Sequence, residues 1–101
     1  MAEKTTERHV TVLMPLGLHL RPADMLVKTA SGFQSRIELC RPNDNERFDA
    51  KSILSLLTVA AIQGTELIVR ATGEDADQAA NEIARLFANG FGELDSPPVE
   101  E

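Results

Sequence analysis

The sequence predicts an α+β domain: a four-stranded antiparallel sheet with three helices packed on one face, in the order β-α-β-β-α-β-α. Two patterns lead to this reading. The strand segments alternate apolar with polar residues, as a sheet with one wetted face requires, rather than running continuously apolar like a buried parallel sheet. The segments between them place apolar residues three and four apart, the spacing of a helix stripe. A chain of 101 residues suits one such domain with one modest core.

Each element follows from its own residues. In "HVTVLMP", residues 9–15, Val10, Val12 and Met14 share one strand face before Pro15 and Gly17 break the run. From Leu20 to Ala30, the residues Ala23, Leu26, Val27 and Ala30 recur at helical spacing. Pro22 is tolerated in a first turn, and Ser31-Gly32 ends the helix. "FQSRIELC" alternates with Ile37 and Leu39 inward, "RPNDNER" is a turn, and "RFDA" is a short return strand. "KSILSLLTVAAI" reads as a compact apolar helix with Ser52 as its N-cap. "TELIVRAT" places Leu67, Val69 and Ala71 on one side. The last helix opens with Asp75 and Gln78 at capping-box spacing. It buries Ala76, Ala79, Ala80, Ile83, Leu86 and Phe87, and stops at Asn89-Gly90. Residues 1–8 read as a mobile extension, 9–93 as the domain, and "LDSPPVEE", 94–101, as a mobile acidic tail.

Composition excludes several functions. The net charge is −6, no basic block occurs, and the only aromatics are four Phe, which disfavours nucleic-acid binding. No apolar run approaches the roughly 20 residues that cross a bilayer. The polar N-terminus lacks the apolar core of a secretory signal. The single cysteine, Cys40, rules out an internal disulfide and fits a reducing cytoplasm; no role is assigned to it. His9, His19 and Cys40 lack metal-ligand spacing, so no metal and no cofactor is expected.

The stretch "GLHLRPAD", residues 17–24, carries the sharpest chemistry. It sets an imidazole where a helix begins, beside unpaired N–H groups and a partial positive charge. That positive end opposes a second positive charge on the ring and so favours a free lone pair. A phosphoryl group accepted by His19 would meet backbone donors already aimed at it. Arg21 would add a charge-assisted contact, and Gly17 permits the tight turn beneath the ring. The same histidine also reads as a plain surface or capping residue, and the spacing alone leaves both readings open.

Ser52 poses a similar choice. It is an N-cap worth about 1 kcal/mol, or a phosphorylation site whose new charge alters docking rather than shape. Ile53, Leu54 and Leu57 follow it on a helix too short to bury every face. They divide between core packing and an exposed docking patch, rimmed by Arg21 and Lys28, with Lys51 flanking Ser52.

Taken together, these segments resemble the histidine-containing phosphocarrier (HPr) family of the bacterial phosphoenolpyruvate-dependent sugar phosphotransferase system. "GLHLRPAD" is similar to its active-site signature, "DAKSILSLL" to its regulatory-serine signature, and "QGTELIVRATGEDADQAANEIARLF" to its last strand and helix, in one register from His9 to Glu93. The resemblance implies an open-faced β-sandwich. It implies that His19 takes a phosphoryl group on Nδ1, its pros nitrogen, from phosphorylated enzyme I and passes it to IIA components of sugar permeases. It makes Arg21 the residue beside the phosphohistidine and Ser52 the target of an HPr kinase/phosphorylase where one exists. Leu20, Lys28, Lys51, Ile53, Leu54 and Leu57 become the docking surface of a monomeric cytoplasmic carrier, not a turnover enzyme.

Three positions depart from the family pattern. Leu20 adds apolar bulk beside the histidine, Asp24 brings a carboxylate into the first turn, and Ser55 thins the basic rim. Asp24 and the thinned rim also admit a second reading. In it the chain is a regulatory module of the nitrogen-related or carbon-catabolite type, whose phosphorylation state gates protein partners without moving sugar.

Overall fold

Strands β1 (Thr5–Thr11) and β4 (Glu66–Thr72) pair antiparallel through seven residue pairs, from Thr5 opposite Thr72 to Thr11 opposite Glu66. A computed structural model describes residues 3–94. In it β4 also pairs with β2 (Arg36–Cys40), and β2 with β3 (Arg47–Asp49), giving one antiparallel sheet in the order β1-β4-β2-β3. Helices α1 (Leu20–Ser31), α2 (Ile53–Leu57) and α3 (Ala76–Ala88) complete an open-faced α+β sandwich. The element order is the one that the alternation and the helical spacing predict.

The core follows the same patterns. Val10, Val12, Met14, Ile37, Leu39, Leu67, Val69 and Ala71 are buried on the sheet side. Ala23, Leu26 and Ala30 of α1 meet them, as do Ala76, Ala79, Ala80, Ile83 and Phe87 of α3. Val27 and Leu86 are only partly buried at the edge. On the open face, Glu7, Arg70 and Glu38 stand in register across three strands. Arg70 lies 3.4 Å from Glu7, and Arg47 lies 3.7 Å from Glu38. Alternating charge keeps this face wet and unlike charges adjacent. Partial burial, reinforced by Glu38, pushes the Cys40 thiol above its ordinary pKa, against the pull of Arg47 and Arg70.

Four boundaries differ from the sequence reading. Strand β1 begins at Thr5, so residues 5–8 of the expected mobile extension are sheet. The sequence hid this because the helix-facing partners there are polar: the Thr6 hydroxyl donates to Asp77, and Arg8 donates to Asn81 at 3.0 Å. Helix α2 stops at Leu57. Thr58 and Val59 donate to the carbonyls three residues back, and Ala60 turns left-handed at φ 53°, so "TVAAI" leaves the helix while still burying Val59 and Ala61. Gly32 closes α1 in a right-handed conformation, so no left-handed glycine cap forms there. Of the acidic tail expected over residues 94–101, residues 95–101 lie outside the described residues.

The fourth difference concerns Asp75. It occupies the N-cap position of α3, but its side chain makes no cap hydrogen bond, so the capping box with Gln78 does not form. Its carboxylate accepts instead from the N–H of Gln34, the N–H of Ser35 and the Ser35 hydroxyl, tying α3 to the loop before β2. Those donors, the Ser35 hydroxyl first and the Gln34 N–H next, hold the carboxyl below its ordinary pKa of 3.8. A lowered folded pKa adds stability above the carboxylate range, and that stability is lost as pH falls through the folded value. Asp75→Ala is therefore expected to lower the urea midpoint at neutral pH. The gap from wild type should close on acidification below the carboxylate range, which a series of urea melts across pH will measure.

Candidate functional site

The site begins with Gly17. Its φ of +73° lies in the left-handed region, and its N–H donates to the Met14 carbonyl at 2.9 Å. A Cβ at this position would stand 2.3 Å from the Ala61 carbonyl oxygen. The next residue, Leu18, donates to that same oxygen at 3.0 Å. Residues 14–18 are thus docked on the segment that follows α2, and they deliver His19 to the head of α1.

His19 is the N-cap residue of α1, extended at φ −86° and ψ −170°. Its carbonyl accepts from Ala23 at 3.0 Å, closing the first helical turn, but its side chain makes no capping bond. Of the N–H groups left over in that turn, Pro22 carries none. Those of Leu20 and Arg21 meet no backbone acceptor among the described residues. The imidazole is one-third exposed. Arg21 is exposed and forms no ion pair among the described residues, so its guanidinium is available to an anion at the ring.

The ring has one partner that the sequence reading missed. Nε2 of His19 lies 2.9 Å from Oε2 of Glu93, a side chain only 18% exposed. Seventy-four positions separate the two residues, and nothing local to Glu93 signals the contact. Nδ1 has no partner among the described residues.

The remaining predicted site residues divide. Ser52 caps α2, its hydroxyl accepting from the Ser55 N–H at 3.2 Å. Ser55 has a structural task of its own, accepting on Oγ from the Asp49 N–H at 2.9 Å. Leu20, Leu54 and Leu57 are exposed, Leu54 at 74%, whereas Ile53 packs partly against the core and Leu56 is fully buried. Leu16 and Ile62 are also exposed and flank the Gly17 contact, so the apolar surface is wider than the sequence reading placed it. The expected basic rim is weaker than predicted. Lys28 pairs with Asp24 one turn away at 3.0 Å, and the Lys51 ammonium donates to the Phe33 carbonyl at 2.8 Å. The same pairing balances the carboxylate of Asp24 in the first turn of α1. No hydrogen bond joins His19 to Ser52 among the described residues.

Among the described residues, an imidazole nitrogen without a partner, two amides without backbone acceptors and an unpaired guanidinium thus fall within three consecutive residues, the kinds of group that a dianion would require. Among the described residues no cluster of three His, Cys, Asp or Glu side chains is placed to hold a metal, and no helix is long and apolar enough to cross a membrane.

Known proteins share this arrangement of sequence. Residues 6–89 match the family model for the PTS HPr component phosphorylation site. The phosphocarrier protein HPr of Xylella fastidiosa is 41% identical over 87 residues, spanning 86% of this chain and 96% of the relative. The phosphocarrier protein NPr of Escherichia coli is 32% identical over 89 residues, spanning 88% and 98%. Among solved structures, HPr-C-His from Thermoanaerobacter tengcongensis superposes with a TM-score of 0.80 at 34% identity, over 87% of this chain and 97% of that one.

Proposed function

The chain belongs to the HPr family of phosphocarrier proteins, and on that premise we propose that it relays a phosphoryl group through Nδ1 of His19. The group arrives from phosphorylated enzyme I and leaves to a IIA component of a sugar permease. The observation that carries this reading is the free end of α1: His19 occupies the N-cap without spending its ring on capping, and the Leu20 and Arg21 amides find no backbone acceptor among the described residues. In the transfer, the Nδ1 lone pair forms the new N–P bond while the donor's N–P bond breaks and its electron pair returns to the donor nitrogen. The chain's own contribution is position and charge. The helix end and Arg21 face the phosphoryl oxygens, and the exposed Leu20, Leu54 and Leu57 give the partner a surface to grip. Each molecule acts as a stoichiometric carrier and a monomer in the cytoplasm.

Ser52 is the regulatory position in this reading. A phosphate added there by an HPr kinase/phosphorylase keeps company with the α2 N-terminus and sets roughly two negative charges next to Ile53 and Leu54. Partners that dock on this apolar surface are thereby repelled without a change of fold.

The test is direct. Purified protein incubated with phosphoenolpyruvate and enzyme I is expected to gain a single acid-labile phosphoryl group by intact mass, and 31P resonance should assign it to Nδ1 of the ring. Protein that stays unmodified with its native enzyme I would reject the relay.

A second reading, a regulatory module that signals rather than transports, draws on one feature of the surface. The Asp24–Lys28 pair and the tethered Lys51 leave Arg21 as the chief free cation of the rim, and a phosphocarrier protein NPr stands among the relatives. Offering the phosphorylated protein a permease-linked IIA beside a soluble regulatory one separates the two readings by which acceptor empties the carrier.

A further inference from the structure

The chain is brought back to His19 by an unusual turn. After α3, Gly90, Phe91 and Gly92 take φ values of +60°, +53° and +80°, three left-handed residues in succession. Glycine adopts this region freely, but for Phe91 it costs roughly 1–2 kcal/mol. The strain is held in place by packing: Phe91 is 3% exposed, and its ring meets Phe87 edge to face at 4.9 Å. The residue that emerges from this turn is Glu93, whose Oε2 sits 2.9 Å from Nε2 of His19.

We propose that Glu93 is a positioning residue for phosphoryl transfer: by accepting the Nε2–H of His19, its carboxylate fixes the tautomer in which Nδ1 carries the lone pair. The consequence for transfer rests on the phosphocarrier reading of His19. An imidazole has one lone-pair nitrogen and one N–H, and the partner of one nitrogen decides the role of the other. A carboxylate is an acceptor only, so a proton on Nε2 satisfies it and a proton on Nδ1 does not. When Nδ1 attacks, the ring keeps its Nε2 proton and gains a positive charge as the N–P bond forms. The Glu93 carboxylate faces that charge from the side of the ring away from the phosphoryl group. On donation the bond pair returns to Nδ1 and the ring is neutral again, with its proton still on Nε2. Orientation of a reacting imidazole by a carboxylate on its far nitrogen is the logic of the serine-protease triad, applied to a phosphoryl acceptor.

Glu93→Ala and Glu93→Gln test the assignment. A long-range proton–nitrogen correlation spectrum of the free protein reads the tautomer of His19 without any partner. Wild type is expected to show Nε2 protonated and Nδ1 bare, and Glu93→Ala a mixture of the two forms. Glu93→Gln, whose amide oxygen still accepts, should keep the wild-type tautomer. Phosphoryl uptake should fall about tenfold in Glu93→Ala and less in Glu93→Gln, with both variants melting like wild type. An unchanged ring spectrum in Glu93→Ala overturns the proposal, and so does faster uptake, which would mean the carboxylate merely repels the incoming group. Should wild type accept no phosphoryl group at all, the carrier reading fails, and the ring spectrum alone still judges Glu93.

Discussion

His19→Ala is expected to abolish acid-labile phosphate uptake from enzyme I while leaving the protein folded. The loss is complete because the reaction needs a nitrogen lone pair at this position. The other histidine, His9, lies in β1 opposite Ile68 and has no place at the α1 N-terminus. The fold survives for a structural reason. The His19 side chain contributes no capping bond, and its backbone carbonyl, which does accept from Ala23, is kept in alanine. Its ring is one-third exposed and gives up one hydrogen bond, to the Glu93 carboxylate, so the stability change should stay within about 1–3 kcal/mol. Circular dichroism and a thermal melt measure the second half of the expectation, intact mass after incubation the first. A variant that is folded yet still gains acid-labile phosphate would move the acceptor off residue 19.

That asymmetry, chemistry lost and fold kept, reflects how the site was legible in the sequence. His19, Arg21 and Pro22 fall within four consecutive residues, and the start of a helix is a local event, so motif and structure coincide there. The core was legible on the same grounds. Alternation in "RIELC" and "ELIVRA" predicts Ile37, Leu39, Leu67, Val69 and Ala71 as inward, and all five are fully buried. What the sequence concealed depends on contacts across the fold. Asp75 has the residue type and spacing of a local cap, yet its carboxylate is used by Gln34 and Ser35, 41 and 40 positions away. Lys28 and Lys51 read as free cations until their acceptors, Asp24 and the Phe33 carbonyl, are placed beside them. Thr6 carries no apolar signal because Asp77 on α3 satisfies its hydroxyl inside the sandwich. Helix α2 is shorter than its sequence predicts because an apolar run such as "TVAAI" looks the same whether it continues a helix or turns away with alternate residues inward. Glu93 is the extreme case, since its position depends on a turn of three left-handed residues held by the packing of Phe91 and by the bond from the Glu93 N–H to the Gly90 carbonyl.

Gly17→Ala should be the most damaging single-methyl change in the site. Two costs add. The left-handed φ of +73° penalises any Cβ by roughly 1–2 kcal/mol. The Cβ itself would lie 2.3 Å from a backbone carbonyl oxygen, where no flexible side chain can swing aside, and relieving that overlap costs roughly another 1–3 kcal/mol. A total of about 2–5 kcal/mol takes a large share of the roughly 5–15 kcal/mol that holds a small domain together. For a domain of this size it corresponds to a fall in Tm of about 10–30 °C. The relief has a direction: the 14–18 segment must lift from Ala61, which breaks the Leu18 N–H bond and displaces His19 from the head of α1. Uptake of phosphate should therefore fall even at temperatures where the variant remains folded. Gly64→Ala is the matched control. Its φ of +90° carries the same backbone penalty, but its Cβ would meet nothing within 4 Å, so it should lose only about 1–2 kcal/mol and keep its phosphate uptake. Paired melts and paired uptake rates separate the close approach at Ala61 from the cost of a left-handed residue. Equal losses in the two variants would show that the seat of the 14–18 segment does not depend on that contact.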